Sequence, residues 1–320
     1  MPDTTPALVP PDSARDLITR YKARLKSGGE SLRAAYEARP LTEPILKGRS
    51  QLVDGVLVEI WKRFSLPASA ALVAVGGYGR EELFPGSDVD LLFLLESPPN
   101  DELGERLTQM ISLIWDVGLE IGHSVRTVDE CIEEAGRDVT VMTNLLEARL
   151  IGGNERLFQR FTTSLRSHLN PGQFFKAKCL EQEQRYTRHA DTPYSLEPNC
   201  KESPGGLRDL QLIGWISRAA GFGTHWRDLA RHALITAEEA TELRELERFL
   251  HHLVDMGLDV GKVVGIGDSI LLDEPLAEHV DRVTLHPRID LFLRPVRADD
   301  RVAFMVPHGA IGLGLDQRRP

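Results

Sequence analysis

The stretch from Ala71 to Leu95, ALVAVGGYGREELFPGSDVDLLFLL, constrains the fold more than any other part of the chain. It opens on an apolar run, Ala71 to Val75, with the length and character of a buried strand. Gly76 and Gly77 break that run. Ten residues separate Gly77 from Asp88, and Ser87-Asp88-Val89-Asp90 then leads into a second apolar run, Leu91 to Leu95. Side chains alternate across a strand, so Asp88 and Asp90 share one face while Val89 and Leu91 take the other. Two carboxylates side by side repel each other, and a divalent cation relieves that repulsion. Hard oxygen ligands suit Mg²⁺, which binds one or two carboxylates and completes its shell with substrate phosphates. Paired glycines supply backbone that a phosphate can approach closely.

At 320 residues the chain is long enough for more than one domain. Its 42% hydrophobic and 27% charged residues are those of a globular protein. The net charge of −10 argues against a nucleic-acid partner, which would need Lys and Arg to displace counterions. Cys131, Cys179 and Cys200 are widely spaced and form neither a zinc signature nor a disulfide framework, so a reducing cytoplasm is the expected location. The N-terminal MPDTTPALVPPDSARD has no basic-plus-apolar signal, and no apolar run reaches membrane-spanning length.

Along the chain, residues 1–11 are Pro/Thr-rich and expected to be disordered. Residues 12–67 read as helices: one from Asp12 or Ser13 to about Lys26, a break at Gly28-Gly29, and one carrying Leu52, Val53, Val56, Leu57, Ile60, Trp61 and Phe64 at helical spacing. Residues 68–152 hold the two strands described above, then a helix from Asp101 with Leu103, Leu107, Met110, Ile111 and Ile114 on one face. A third strand is expected over Leu119–Val125, and helix from Asp129 to Leu150 with a possible break at Asp138. This order predicts an α/β (α+β) fold with a small mixed sheet flanked by helices. A boundary is expected at the turn around Gly152-Gly153. Residues 153–255 read as a helical domain in which the charged segment Lys176–Arg188 is a solvated face. Pro204-Gly205-Gly206 precedes a helix from Leu207, where backbone N–H groups and Arg208 could meet an anion or form a plain turn with a surface arginine. The tail, 256–320, holds Pro275, Pro287, Pro295 and Pro307 and no persistent helical stripe. Gly257–Val263 falls short of P-loop spacing and reads as a turn.

Gly-Gly, ten residues, then Asp-apolar-Asp-apolar resembles the signature of the polymerase-β-like nucleotidyltransferase superfamily. The longer GGYGREELFPGSDVDLL is similar to the bacterial PII uridylyltransferase/uridylyl-removing family, as are WDVGLEIGHSVRT (115–127) and KESPGGLRDLQLI (201–213). The resemblance covers roughly Asp12 to Leu250. It implies a nucleotidyltransferase domain at 68–152 that moves UMP from UTP to a tyrosine hydroxyl of the signalling protein PII. Mg²⁺ would sit on Asp88 and Asp90, with phosphates at Gly76, Gly77, Arg80, Ser87 and Arg208. The acidic net charge weakens the nucleic-acid-modifying branches of the superfamily.

The superfamily usually supplies a third carboxylate from a neighbouring strand. Glu120 is the nearest acid; Asp116 precedes the strand, and His123 is an alternative base. Arg80 could equally pair with Glu81 or Glu82. Two other functions stay open: adenylyl transfer to another protein or small molecule, and a catalytically silent nucleotide-sensing fragment. In the resembled family uridylyl removal belongs to an adjacent His-Asp metal site, and none of the ten histidines here precedes Asp, so that activity is expected to be missing. The family's pattern ends near Asp255, and the tail reads as a truncation, a shifted frame or a divergent segment.

Overall fold

A computed structural model describes residues 11–188 and 199–255. The expectations for the N-terminal disorder, save Pro11 at the start of the first helix, and for the tail beyond Asp255 lie outside the described residues. The chain divides into two compact units, Met1–Ser167 and His168–Pro320. No helix among the described residues is long and apolar enough to cross a membrane.

In the first unit, α1 (Pro11–Ala38) and α2 (Thr42–Phe64) form a helical pair. The expected break at Gly28-Gly29 does not occur. A Cβ on Gly28 would lie 2.6 Å from Leu52, and one on Gly48 would lie 2.6 Å from Leu32. These glycines let the two helices approach closely, and tertiary packing overrides their poor helix propensity.

The sheet follows: β1 (Ala70–Ala74), β2 (Val89–Leu95), β3 (Ile121–Thr127) and β4 (Arg149–Gly153), in spatial order β3-β2-β1-β4. Strand β1 is antiparallel to both β2 and β4, while β2 and β3 run parallel. The mixed sheet is as expected, and β4 is the addition. Leu72, Ala74, Leu91, Phe93 and Leu95 pack with Val56, Leu57 and Ile60 of α2. The other face carries Ala71, Val73, Leu92 and Leu94, also buried. Burial on both faces explains why these strands read as continuous apolar runs rather than alternating ones.

Between β2 and β3 lies α4 (Asp101–Asp116), capped by Asn100, whose side chain accepts from Leu103 N. After β3 come α5 (Val128–Arg137) and α6 (Val139–Leu146), divided at Asp138, which ends one helix and caps the next. Helix α7 (Glu155–His168) buries Leu157, Phe161 and Leu165. The expected boundary at Gly152-Gly153 therefore moves: that turn ends β4, and Asn154 caps α7 within the same unit.

The second unit holds α8 (Pro171–Arg188), α9 (Leu207–Ala219), α10 (Trp226–Arg231) and α11 (Ala237–Asp255). Here the reading of Lys176–Arg188 as a solvated face is overturned. Lys178, Gln182 and Arg185, spaced four and three apart on α8, are buried. They face a polar core, not an apolar one, so hydropathy periodicity does not reveal it.

Candidate active site

The geometry centres on α3, the four-residue turn Gly76–Gly79 between β1 and the loop to β2. Gly76 stands at φ +58, a left-handed conformation that glycine adopts without steric cost. A Cβ on Gly79 would run into the Glu147 and Ala74 carbonyls, so only glycine fits there. Three side chains clamp the turn. Tyr78, fully buried, donates its hydroxyl to Asp54 Oδ1 on α2 at 2.5 Å. Arg149 of β4 forks onto Asp54 at 2.7 and 3.1 Å and reaches the Tyr78 carbonyl at 3.3 Å. Burial, then the Asp54 charge, pushes the Tyr78 hydroxyl far above its ordinary pKa, so it serves as a neutral donor.

Arg80 is held between Glu82, at 2.8 Å, and the buried Glu147 at the end of α6. Of the alternatives open for Arg80, the structure gives the ion pair, with Glu82 and a second carboxylate that sequence order hides. Glu81 pairs with Lys47 instead, at 3.5 Å. Arg80 therefore helps to fix the turn through its Nε and Nη1, while its Nη2 lies 3.7 Å from where a Cβ on Gly77 would stand.

Asp90 is the second residue of β2, half-buried; Asp88 lies just before the strand and is exposed. Burial, then the neighbouring Asp88 charge, raises the Asp90 carboxyl pKa. Two glycines frame Asp90. A Cβ on Gly76 would sit 3.4 Å from Asp90 Oδ2, and one on Gly122, its register partner on β3, would collide with Oδ1. Ser87 is exposed, in a turn where its N–H bonds the Phe84 carbonyl.

The third carboxylate fares differently. The position on β3 beside Asp90 is Gly122, which carries none. Glu120 lies one residue before β3, exposed, and its carbonyl accepts from Val89 N at 2.8 Å. Asp116 is exposed at the end of α4. His123 pairs with Leu91, on the sheet face opposite Asp90, so the strand's alternation removes it as a base for this site. Among the described residues no three His, Cys, Asp or Glu side chains are grouped to hold a metal ion. The oxygen donors of Asp88 and Asp90, with glycines clearing space around the inner carboxylate, fit one hard cation, whose remaining ligands would be substrate phosphates or water.

In the second unit, the anion-binding reading of the Pro204-Gly205-Gly206 turn is overturned. The N–H groups at the start of α9 are already used. Gly206 bonds Ser203 O, Leu207 bonds Cys200 O and Arg208 bonds Lys201 O, each at 2.9 Å, while Gly205 N donates to Asp209 Oδ2 at 2.7 Å. Arg208 itself pairs with Glu202 at 3.0 Å, bonds Gln211 at 2.9 Å and lies over the Trp215 ring. The centre of the segment is Asp209, fully buried, which accepts from Arg185, Gln182 and Tyr186 as well. Sequence reading missed Asp209, since a helix-start carboxylate ordinarily reads as a solvent-facing cap.

Fold and site together define the class: an α/β domain built around a Gly-Gly turn and an Asp-x-Asp strand. Residues 56–148 match the family model described as "Nucleotidyltransferase domain". Residues 173–255 match that described as "GlnD PII-uridylyltransferase". The chain is 56% identical over 248 residues to the bifunctional uridylyltransferase/uridylyl-removing enzyme of Aromatoleum aromaticum, covering 77% of this chain and 29% of that protein. It is 49% identical over 252 residues to the enzyme of the same name from Cupriavidus pinatubonensis, 78% of this chain and 29% of that one. With the Nitrosospira multiformis enzyme the identity is 48% over 276 residues, 83% and 31% of the two chains. The resemblance read from the three motifs is thereby established, and it is to the N-terminal part of these enzymes. The chain spans 29–31% of the length of these relatives.

Proposed function

We propose that this chain transfers UMP from UTP to a tyrosine hydroxyl of PII, with Mg²⁺ and in the cytoplasm, releasing pyrophosphate. The observation that carries the reading is the Asp88–Asp90 pair, framed by Gly76 and Gly122, in a chain that matches the PII-uridylyltransferase description. The tyrosine oxygen forms a bond to the α-phosphorus of UTP. The bond from that phosphorus to the oxygen bridging to the β-phosphorus breaks, and pyrophosphate departs.

Asp88 and Asp90 hold the cation, and their mutual repulsion favours its uptake. When bound, Mg²⁺ supplies positive charge that offsets the charge developing on the leaving pyrophosphate. Gly76 and Gly77 bring backbone, without side chains, against the triphosphate, and Ser87 offers its hydroxyl from the adjoining turn. The Tyr78, Arg149 and Arg80 clamps keep that backbone in place before substrate arrives, which lowers the ordering cost of binding. Glu120, exposed and next to Asp88 in the continuation of the β2–β3 register, takes the hydroxyl proton.

The test is to incubate the chain with PII, Mg²⁺ and each α-labelled nucleoside triphosphate in turn. Label on a PII tyrosine from UTP is expected. Label chiefly from ATP would make the chain an adenylyltransferase, and nucleotide binding with no label would make it a sensor; either overturns the proposal.

A further inference from the structure

The sheet leaves a gap where a third oxygen donor would be useful. Gly122, beside Asp90 on β3, has no side chain. The opposite side of the same carboxylate is different. A Cβ built on Gly76 would lie 3.4 Å from Asp90 Oδ2 and also 3.4 Å from Asn144 Oδ1. Two side-chain oxygens, one from β2 and one from α6, thus converge over the same glycine.

Asn144 is exposed, and among the described residues its side-chain amide has no hydrogen-bond partner. It is held in place by the same clamp that fixes the turn. Glu147, three residues on, donates its N–H to the Asn144 carbonyl at 3.3 Å and binds Arg80 through its carboxylate. An asparagine in the last turn of a short helix has poor helix propensity, and here its side chain returns no local bond for that cost.

Resting on the reading of Asp88 and Asp90 as cation ligands, we propose that Asn144 Oδ1 is a third protein oxygen for that cation, standing in for the carboxylate that β3 lacks. Charge supports an amide in this place. Two carboxylates already balance one divalent ion, and a third would repel the triphosphate that has to enter beside it. A neutral oxygen raises the ligand count without adding that repulsion, and it suits a hard cation.

The experiment is calorimetric and EPR titration of the full chain with Mn²⁺ alone, for the wild type, Asp90→Asn, Asn144→Ala and Asn144→Asp. Asn144→Ala is expected to weaken Mn²⁺ binding by about tenfold or more, the scale seen when groups that support a metal site are removed. Asn144→Asp, which keeps an oxygen at that place, is expected to bind at least as tightly as wild type. If Asp90→Asn weakens binding and Asn144→Ala does not, the Asn144 proposal falls while the cation reading stands. If Asp90→Asn leaves binding unchanged, the cation reading itself fails. Failure of Asn144→Asp to restore the loss would show that the residue acts by shape, not by its oxygen, and would also overturn the proposal.

Discussion

Asp209→Ala removes the carboxylate around which the second unit's polar core is assembled. Its side chain is fully buried and accepts from Arg185, Gln182, Tyr186 and the Gly205 N–H. The Arg185 side chain is 7% exposed, so the substitution leaves a guanidinium out of water without its counter-charge. Breaking a buried pair from one side costs about 3–5 kcal/mol. Tyr186 and Gly205 also lose their acceptor, although these losses overlap with the first. At about 1.4 kcal/mol per tenfold, the lower end of that range is about two decades in the local opening equilibrium. Amide hydrogen exchange, read by mass spectrometry on peptides of α8 and α9, should show protection falling by at least that amount. Asp209→Asn, which keeps the shape and loses the charge, should fall between. Protection within about threefold of wild type for Asp209→Ala would refute the claim that a buried ion pair organises this unit.

Other outcomes follow from the first unit. Gly79→Ala should destabilise the fold outright, because its Cβ meets backbone carbonyls, while Gly122→Ala displaces only the end of the Asp90 side chain. Thermal melting should therefore separate the two, with Gly122→Ala folded but weakened in Mn²⁺ binding. The raised pKa of Asp90, caused first by burial and then by Asp88, means that its charge opposes folding in the absence of metal. That penalty is full well above the folded pKa and is relieved as pH falls through it. Asp90→Asn should accordingly raise the metal-free melting temperature at pH 7, with the gain shrinking toward acid pH; a gain that grows on acidification would reverse the assignment. Cys131 is fully buried, and burial pushes its thiol up to about 12, so iodoacetamide at pH 7.5 should leave it unlabelled until denaturant is added.

How much of this was legible in the sequence depends on which interactions were local. The β1-turn-β2 unit could be read because its apolar runs, glycines and Asp-x-Asp spacing all lie within 25 residues. Strand β4 could not, because Arg149–Gly153 follows a helical segment directly and becomes a strand only by pairing with β1. Gly28-Gly29 reads as a break in sequence, yet Gly28 is a contact surface for Leu52, a residue supplied by the next helix. At the site, the two aspartates were visible and their neighbours were not. Asn144, Gly122 and Glu147 reach Asp90 or the Gly-Gly turn only through the sheet register and the α6 connection. The pairing of Arg80 with Glu82 was open in the sequence, but its second carboxylate, Glu147, lies 67 residues on, and the Glu202 partner of Arg208 falls outside helical or strand spacing.

The central claim is that Asp88 and Asp90 hold the cation on which UMP transfer to PII depends. It is tested most directly by comparing wild type, Asp88→Asn and Asp90→Asn for label transferred from α-labelled UTP to PII at saturating Mg²⁺, each protein first shown to melt cooperatively. A bound cation supplies several kcal/mol of charge stabilisation, so each variant should lose at least about a hundredfold in rate. Transfer by either variant within a few-fold of wild type would contradict the account.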